Sequence, residues 1–156
     1  MQRRHFIAAA AALAAASAAS LATAATSRPQ IEVWKTPSCG CCKDWIRHLE
    51  ANGFEVRFHD VSNAVKNDYR RRMGLDDKFG SCHTALVGGY VIEGHVPARD
   101  VQRLLKDKPR ALGLAVPGMP VGSPGMDGSE YNGLKDPYDV LLVQRGGAAS
   151  VFQSYR

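Results

Sequence analysis

Past its first two dozen residues the sequence has no apolar run long enough to span a bilayer, which excludes a spanning helix from the rest of the chain. It has no nucleic-acid-binding motif. It also has little charge to offer a polyanion: the formal net charge is +5. The one basic run, Arg70-Arg71-Arg72, reads as a solvated helix face. No arginines cluster around a cysteine to hold an oxyanion, which argues against an arsenate-reductase-like enzyme. Cysteine is scarce, with four in 156 residues. Three of these lie within Cys39–Cys42, too close together to staple distant segments, and a Cys41–Cys42 bridge would be strained. The length suits one compact domain and leaves no room for a second of ordinary size.

What is present begins with an export signal. Arg3 and Arg4 form a positive start, Phe6 to Leu21 is an uncharged alanine-rich run, and Ala22-Thr23-Ala24 supplies small residues for cleavage. The stretch RRHFI resembles a twin-arginine signal, and a Sec signal has the same look. Cleavage near residue 24 is expected, leaving no stable membrane anchor. It would remove two arginines and no acid, so the charge falls from +5 to +3. The expected location is the periplasm, an oxidising compartment in which cysteines are usually paired or bound.

The pattern after residue 29 alternates strands and helices. Ile31 to Trp34 is a strand, followed by PSCGCC and a helix with Trp45, Ile46 and Leu49 on one face, stopped by Asn52-Gly53. Phe54, Val56 and Phe58 alternate with polar residues as a half-buried strand. Residues 63–73 read as a helix with Val65, Tyr69 and Met73 on its apolar face. Thr84 to Val87 and Tyr90 to Glu93 form a hairpin through Gly88-Gly89, and a helix starts at Pro97 and carries Val101, Leu104 and Leu105. Residues 111–131 shift to a Pro/Gly/Met-rich loop in which Pro-Gly-Met recurs seven residues apart, and residues 138–155 read as a second hairpin.

The resulting α/β order, β-α-β-α-β-β-α, resembles the thioredoxin/glutaredoxin fold, here spanning 30–155 with a C-terminal Met/Pro/Gly loop and hairpin. KTPSCGCC at a strand-to-helix turn resembles a glutaredoxin active site, with Cys39 and Cys42 as the Cys-x-x-Cys pair and Cys41 extra. A helix N-terminus there favours thiolate over thiol. In such folds the loop before the third strand packs on the cysteine turn and carries a proline before a threonine. Here SCHT stands at that place, with His83 in the proline's position. The resemblance therefore implies that Cys82 and His83 face Cys39, Cys41 and Cys42.

Soft thiolates select Cu(I), Zn or Fe–S clusters. Met119 and Met126 could add thioethers, which suit Cu(I), although methionine in a loop is more often core filler. Adjacent cysteines bridge several soft ions more readily than they chelate one, which favours copper over a single structural zinc. The strand, the Cys-x-Cys-Cys turn, the Cys-His loop and VPGMPVGSPGM together resemble a family of small exported thioredoxin-like proteins. It is catalogued as a domain of unknown function and includes a bacterial copper-resistance protein. The resemblance implies a periplasmic copper-binding protein of copper resistance, with metal ligands Cys39, Cys41, Cys42 and Cys82. It also implies a site that interconverts Cu(I) and Cu(II), making the protein an oxidoreductase of copper itself, in contact with other copper-handling proteins. His83 is a further candidate ligand. The alternatives are a thiol–disulfide oxidoreductase with Cys39 as nucleophile and Cys42 as resolving thiol, a turn merely tied by a Cys39–Cys42 disulfide, and a zinc module. His48, two helical turns past Cys41 and so about 10 Å away, is expected on the surface. Trp34 and Trp45 are expected to shield the site, and His59 and His95 have no assigned role.

Overall fold

The computed structural model describes residues 28–156, and the export signal read at 1–24 lies outside them. Alternating strands and helices build a mixed seven-stranded sheet: β1 (Gln30–Lys35), α1 (Gly40–Ala51), β2 (Glu55–Asp60), α2 (Asn63–Arg72), β3 (His83–Val87), β4 (Tyr90–Glu93), α3 (Ala98–Asp107), β5 (Gly113–Ala115), β6 (Tyr138–Val143) and β7 (Ala149–Tyr155). The strand order is β2-β1-β3-β4-β5-β6-β7. The β1-α1-β2 crossover makes β1 and β2 parallel, and β3 runs antiparallel to both β1 and β4.

Strand alternation sends side chains to two cores. One joins Ile31 and Val33 to Trp45, Ile46 and Leu49 of α1 and to Val101 and Leu104 of α3. The other joins Val91, Ala115 and Val143 to Leu75 and Phe79, which follow α2. Gly88 and Gly89, at φ 55° and 84°, make the tight hairpin that their sequence implies.

Four expectations need correction. The inward face of α2 is charged: Lys66 and Arg70 are buried, whereas Val65 and Tyr69 are exposed. The pattern misled because Lys66 and Arg70 find partners at Ser81 and Asp77 in the segment before β3 and at buried Glu93 on β4, and a buried charge is tolerated only when paired. Arg70 is for the same reason not part of a solvated basic run. Phe58 is 53 % exposed, because β2 is an edge strand and Lys35 lies over the Phe58 ring, 5.1 Å away. Finally, the stretch 111–131 is not all loop. Gly113–Ala115 forms β5, parallel to β4 and antiparallel to β6, and so joins the second hairpin to the main sheet. A Cβ on Gly113 would lie 1.8 Å from the Val91 carbonyl oxygen, so only glycine permits this approach. Among the described residues no helix is long and apolar enough to cross a membrane.

Candidate metal centre

Cys39 is the N-cap of α1 and uses no side-chain bond to do so, which leaves the first-turn N–H groups of the helix facing the sulfurs. Cys41 and Cys42 lie in that first turn. Cys82 arrives from the loop before β3, and its carbonyl oxygen lies 3.7 Å from Cys42 Sγ. The four sulfurs all lie within 4.8 Å of one another. Cys39 and Cys41 Sγ are 3.5 Å apart, and Cys41 and Cys82 Sγ are 3.9 Å apart. Two sulfurs bound tetrahedrally to one ion at about 2.3 Å sit about 3.8 Å apart. The Cys39–Cys41 and Cys41–Cys82 spacings therefore match two donors on one soft ion, whereas Cys39 and Cys42 must be reduced and move apart before both can bind. Cys39 and Cys42 are joined as a disulfide, and Cys41 and Cys82 are free thiols. The sulfur site and the disulfide alternative thus occupy the same residues in different oxidation states.

His83 is fully buried, with its ring 4.2 Å from that of Trp45. Its Nε2 is 2.9 Å from the Gly94 carbonyl oxygen, which can only accept, so Nε2 carries the proton. Nδ1 then presents its lone pair to Cys82 Sγ at 3.3 Å. His95, also fully buried, repeats the arrangement with the nitrogens exchanged. Nδ1–H donates to the Pro124 carbonyl at 2.9 Å, and Nε2 faces Cys82 Sγ at 3.1 Å. Burial holds the His83 pKa well below its ordinary value, with the His95 charge acting the same way. Burial also lowers His95, against the pull of the Pro124 carbonyl and Asp127. The Cys82 thiol is pushed up to about 12, first by burial and then by Cys41. Without metal, both rings and the thiol are therefore neutral.

His95 was the residue that pattern reading missed, and a signal for it existed. The two-residue turn pairs Val87 with Tyr90 and Thr84 with Glu93. Continuing that register places His95 opposite Cys82.

The loop carrying Cys82 is clamped from α2 and β4. Ser81 N–H and the Thr84 hydroxyl donate to the two oxygens of buried Glu93, each at 2.6 Å. Lys66 Nζ donates to the Ser81 carbonyl at 2.6 Å, and Arg70 reaches Asp77 at 2.6 Å and Glu93 at 3.5 Å. Burial raises the Glu93 pKa, and its hydrogen bonds and the two cations oppose the shift.

Each Pro-Gly-Met unit docks on one half of the site. In the first, Gly118 N–H donates to the Gly80 carbonyl at 3.2 Å, and the Ser81 hydroxyl donates to the Gly118 carbonyl at 2.5 Å. In the second, Gly125 rides over the start of α1, where a Cβ would lie 2.6 Å from the Cys41 carbonyl oxygen. Met126 is buried, and its sulfur accepts from the Tyr131 hydroxyl at 3.3 Å, whereas Met119 is 51 % exposed. Both units thus contact the site through their glycine backbones.

Two further expectations are revised. His48 is not a free surface residue: its Nε2 accepts from Ala98 N–H at 3.0 Å and so caps the start of α3. Trp45 packs on the site, but Trp34 stacks between Tyr69 and His59 on the α2 face of the sheet.

Residues 79–126, from the turn before Cys82 through the second Pro-Gly-Met unit, match the family described as protein of unknown function, DUF411. Two solved structures of copper resistance protein CopG, forms 1 and 2, are each 44 % identical to this chain. Form 1 aligns over 82 % of this chain and 98 % of its own, and form 2 over 83 % and 99 %, both with a TM-score of 0.74. The chain belongs to the DUF411 family. Among curated proteins none is a significant match. The likeness to CopG covers nearly all of the described residues, so the cysteine turn, the Cys82 loop and the Pro-Gly-Met segment fall within one shared architecture.

Proposed function

We propose that this DUF411 chain is a periplasmic copper protein of copper resistance with a thioredoxin-like core over residues 30–155. In its reduced state it binds copper through Cys39, Cys41, Cys42 and Cys82 with His83 alongside, and it interconverts Cu(I) and Cu(II). The observation that carries this reading is the convergence of four sulfurs within 4.8 Å in a CopG homologue. Thiolate sulfur is a soft donor that suits Cu(I) as well as zinc, and the likeness to CopG favours copper. Adjacent Cys41 and Cys42 favour thiolate bridges between ions over chelation of one. Sheet order and register support the thioredoxin-like reading, since β1-α1-β2 is followed by α2, a β3–β4 hairpin and α3. The location rests on the export signal read at residues 1–24.

The protein's own residues do the following. The first turn of α1 presents Cys41 and Cys42 beside the N-cap Cys39. Glu93, Lys66 and Arg70 hold the Cys82 loop in register, Trp45 packs on His83, and the Gly125 turn lies against the start of α1. Loading displaces the thiol protons, because a metal binds thiolate rather than thiol.

The test is metal analysis of protein purified from copper-fed cells without a metal-affinity tag, then reduced and titrated anaerobically with Cu(I). More than one copper per chain is expected, with a clear decrease in Cys82→Ser. No tight copper binding by the reduced chain would refute the reading. One observation favours a second function. The Cys39–Cys42 disulfide beside two free thiols is also what a thiol–disulfide oxidoreductase would carry. That reading requires rapid insulin reduction that survives Cys82→Ser.

A further inference from the structure

We propose that Cys82, His83 and His95 form a metal site of their own, which binds one copper ion while Cys39 and Cys42 remain joined as a disulfide. The proposal deepens the copper reading and rests on it only for the identity of the ion.

The argument starts from hydrogen-bond accounting. With Cys39 and Cys42 oxidised, Cys82 Sγ faces His83 Nδ1 at 3.3 Å and His95 Nε2 at 3.1 Å. Both nitrogens carry lone pairs, because the opposite nitrogen of each ring is committed as a donor to a backbone carbonyl. The thiol has one proton, so it can satisfy one ring and leaves the other lone pair without a donor. Both rings are fully buried, so bulk water does not fill the gap. A cation meets both lone pairs and the sulfur at once, and one proton leaves Cys82 on binding. The carbonyls of Gly94 and Pro124 fix each tautomer and ring direction, as the outer partners of metal-bound histidines commonly do.

The distances agree. Tetrahedral sulfur and nitrogen donors on one ion, at about 2.3 and 2.05 Å, lie about 3.6 Å apart. The site therefore needs to open by only a few tenths of an ångström. Cys41 Sγ, free and 3.9 Å from Cys82 Sγ, is within reach as a fourth donor. One thiolate with two imidazoles is a set that copper accepts in either oxidation state. Cys82 thus belongs to two sites: the four-sulfur cluster when the turn is reduced, and the Cys-His-His site when it is oxidised. Oxidation of the turn then lowers copper capacity without abolishing it.

The experiment oxidises the protein with glutathione disulfide, verifies two remaining thiols, and titrates Cu(I) anaerobically against a chelating competitor, with the thiols counted again after loading. One copper per disulfide-form chain is expected, with both imidazole nitrogen and sulfur in the X-ray absorption fine structure. His95→Gln should weaken it at least about tenfold, with circular dichroism unchanged. The absorption measurement uses the unsubstituted protein, so the test stands even if that variant fails to fold. A disulfide form that binds no copper, or binds it through sulfur alone, overturns the proposal. Binding by the reduced chain alone overturns this site and leaves the four-sulfur reading standing. No binding by either form overturns both.

Discussion

Gly125 shows how one residue couples the C-terminal segment to the metal centre. Its φ is +86°, and an added Cβ would lie 2.6 Å from the Cys41 carbonyl oxygen and 2.7 Å from the Trp45 nitrogen. Both neighbours are backbone and cannot rotate away. Gly118, in the first Pro-Gly-Met unit, has a φ of +73° with nothing within 4 Å of a built Cβ. The pair separates conformational strain from collision. Gly118→Ala is expected to lose about 1–2 kcal/mol, the usual penalty of a left-handed backbone. Gly125→Ala should lose more than that and also lower the copper bound per reduced chain. Urea unfolding midpoints and metal counts on the two variants test this, and equal losses would show that the α1 contact does not matter. Sequence reading noticed the repeat for its methionines, because sulfur has visible chemistry. The glycines carry the contact, and a glycine has no side chain to announce its role.

At the scale of elements, α1 and α3 are joined by His48. Nε2 accepts from Ala98 N–H, one of the donors that a helix start leaves without an intrahelical partner. Burial lowers the His48 pKa below 6.5, and the Asp127 charge opposes the shift. The unfolded chain therefore takes up a proton near pH 6.5 before the folded chain does. The stability contribution is fully present above pH 6.5 and is lost as pH falls from there toward the folded pKa. His48→Ala is expected to lose about 1 kcal/mol at pH 7.5. Both proteins should lose stability between pH 7.5 and 5.5, because His83 and His95 are also lowered by burial, and the wild type should lose more, by part of the His48 stabilisation. Denaturant midpoints at the two pH values decide the matter.

Helix α2 was legible as a helix but not in its orientation. Apolar spacing pointed Val65 and Tyr69 inward, whereas the buried Lys66 and Arg70 are stabilised by partners distant in sequence at Ser81, Asp77 and Glu93. Spacing reports which residues share a face, but it does not report what that face will meet.

Over the whole molecule, the second hairpin is part of the core. Val140 belongs to one hydrophobic cluster and Val143 to the other, and both are fully buried. The Tyr155 hydroxyl donates to the carboxylate of buried Asp100 on α3 at 2.6 Å, and Arg103 lies over the Phe152 ring, 3.8 Å from its centroid. A chain ending at Asp136 would leave β5 unpaired on one side and remove Val140 and Val143 from the two clusters, exposing their neighbours there. Such a truncation is expected to lose cooperative unfolding, read by circular dichroism during a urea titration. A sharp transition in the truncated chain would show that residues 30–136 suffice.

From its residues alone, this protein had its element order apart from β5, its helix ends, the Gly88-Gly89 hairpin and the grouping of three cysteines on a strand-to-helix turn. These are local properties, governed by side-chain period, turn stereochemistry and spacing along the chain. The convergence of Cys82 on that turn was legible only through likeness to a known fold. Tertiary structure alone decided that the His83 and His95 rings each turn a nitrogen to the Cys82 sulfur and that a Lys-Arg-Glu clamp holds the loop carrying it. It also decided that the glycine backbones of the Pro-Gly-Met units pack against the site. Each of these depends on which distant segment fills the space beside a residue. Packing and the satisfaction of buried polar groups determine that, and no local window of sequence contains it.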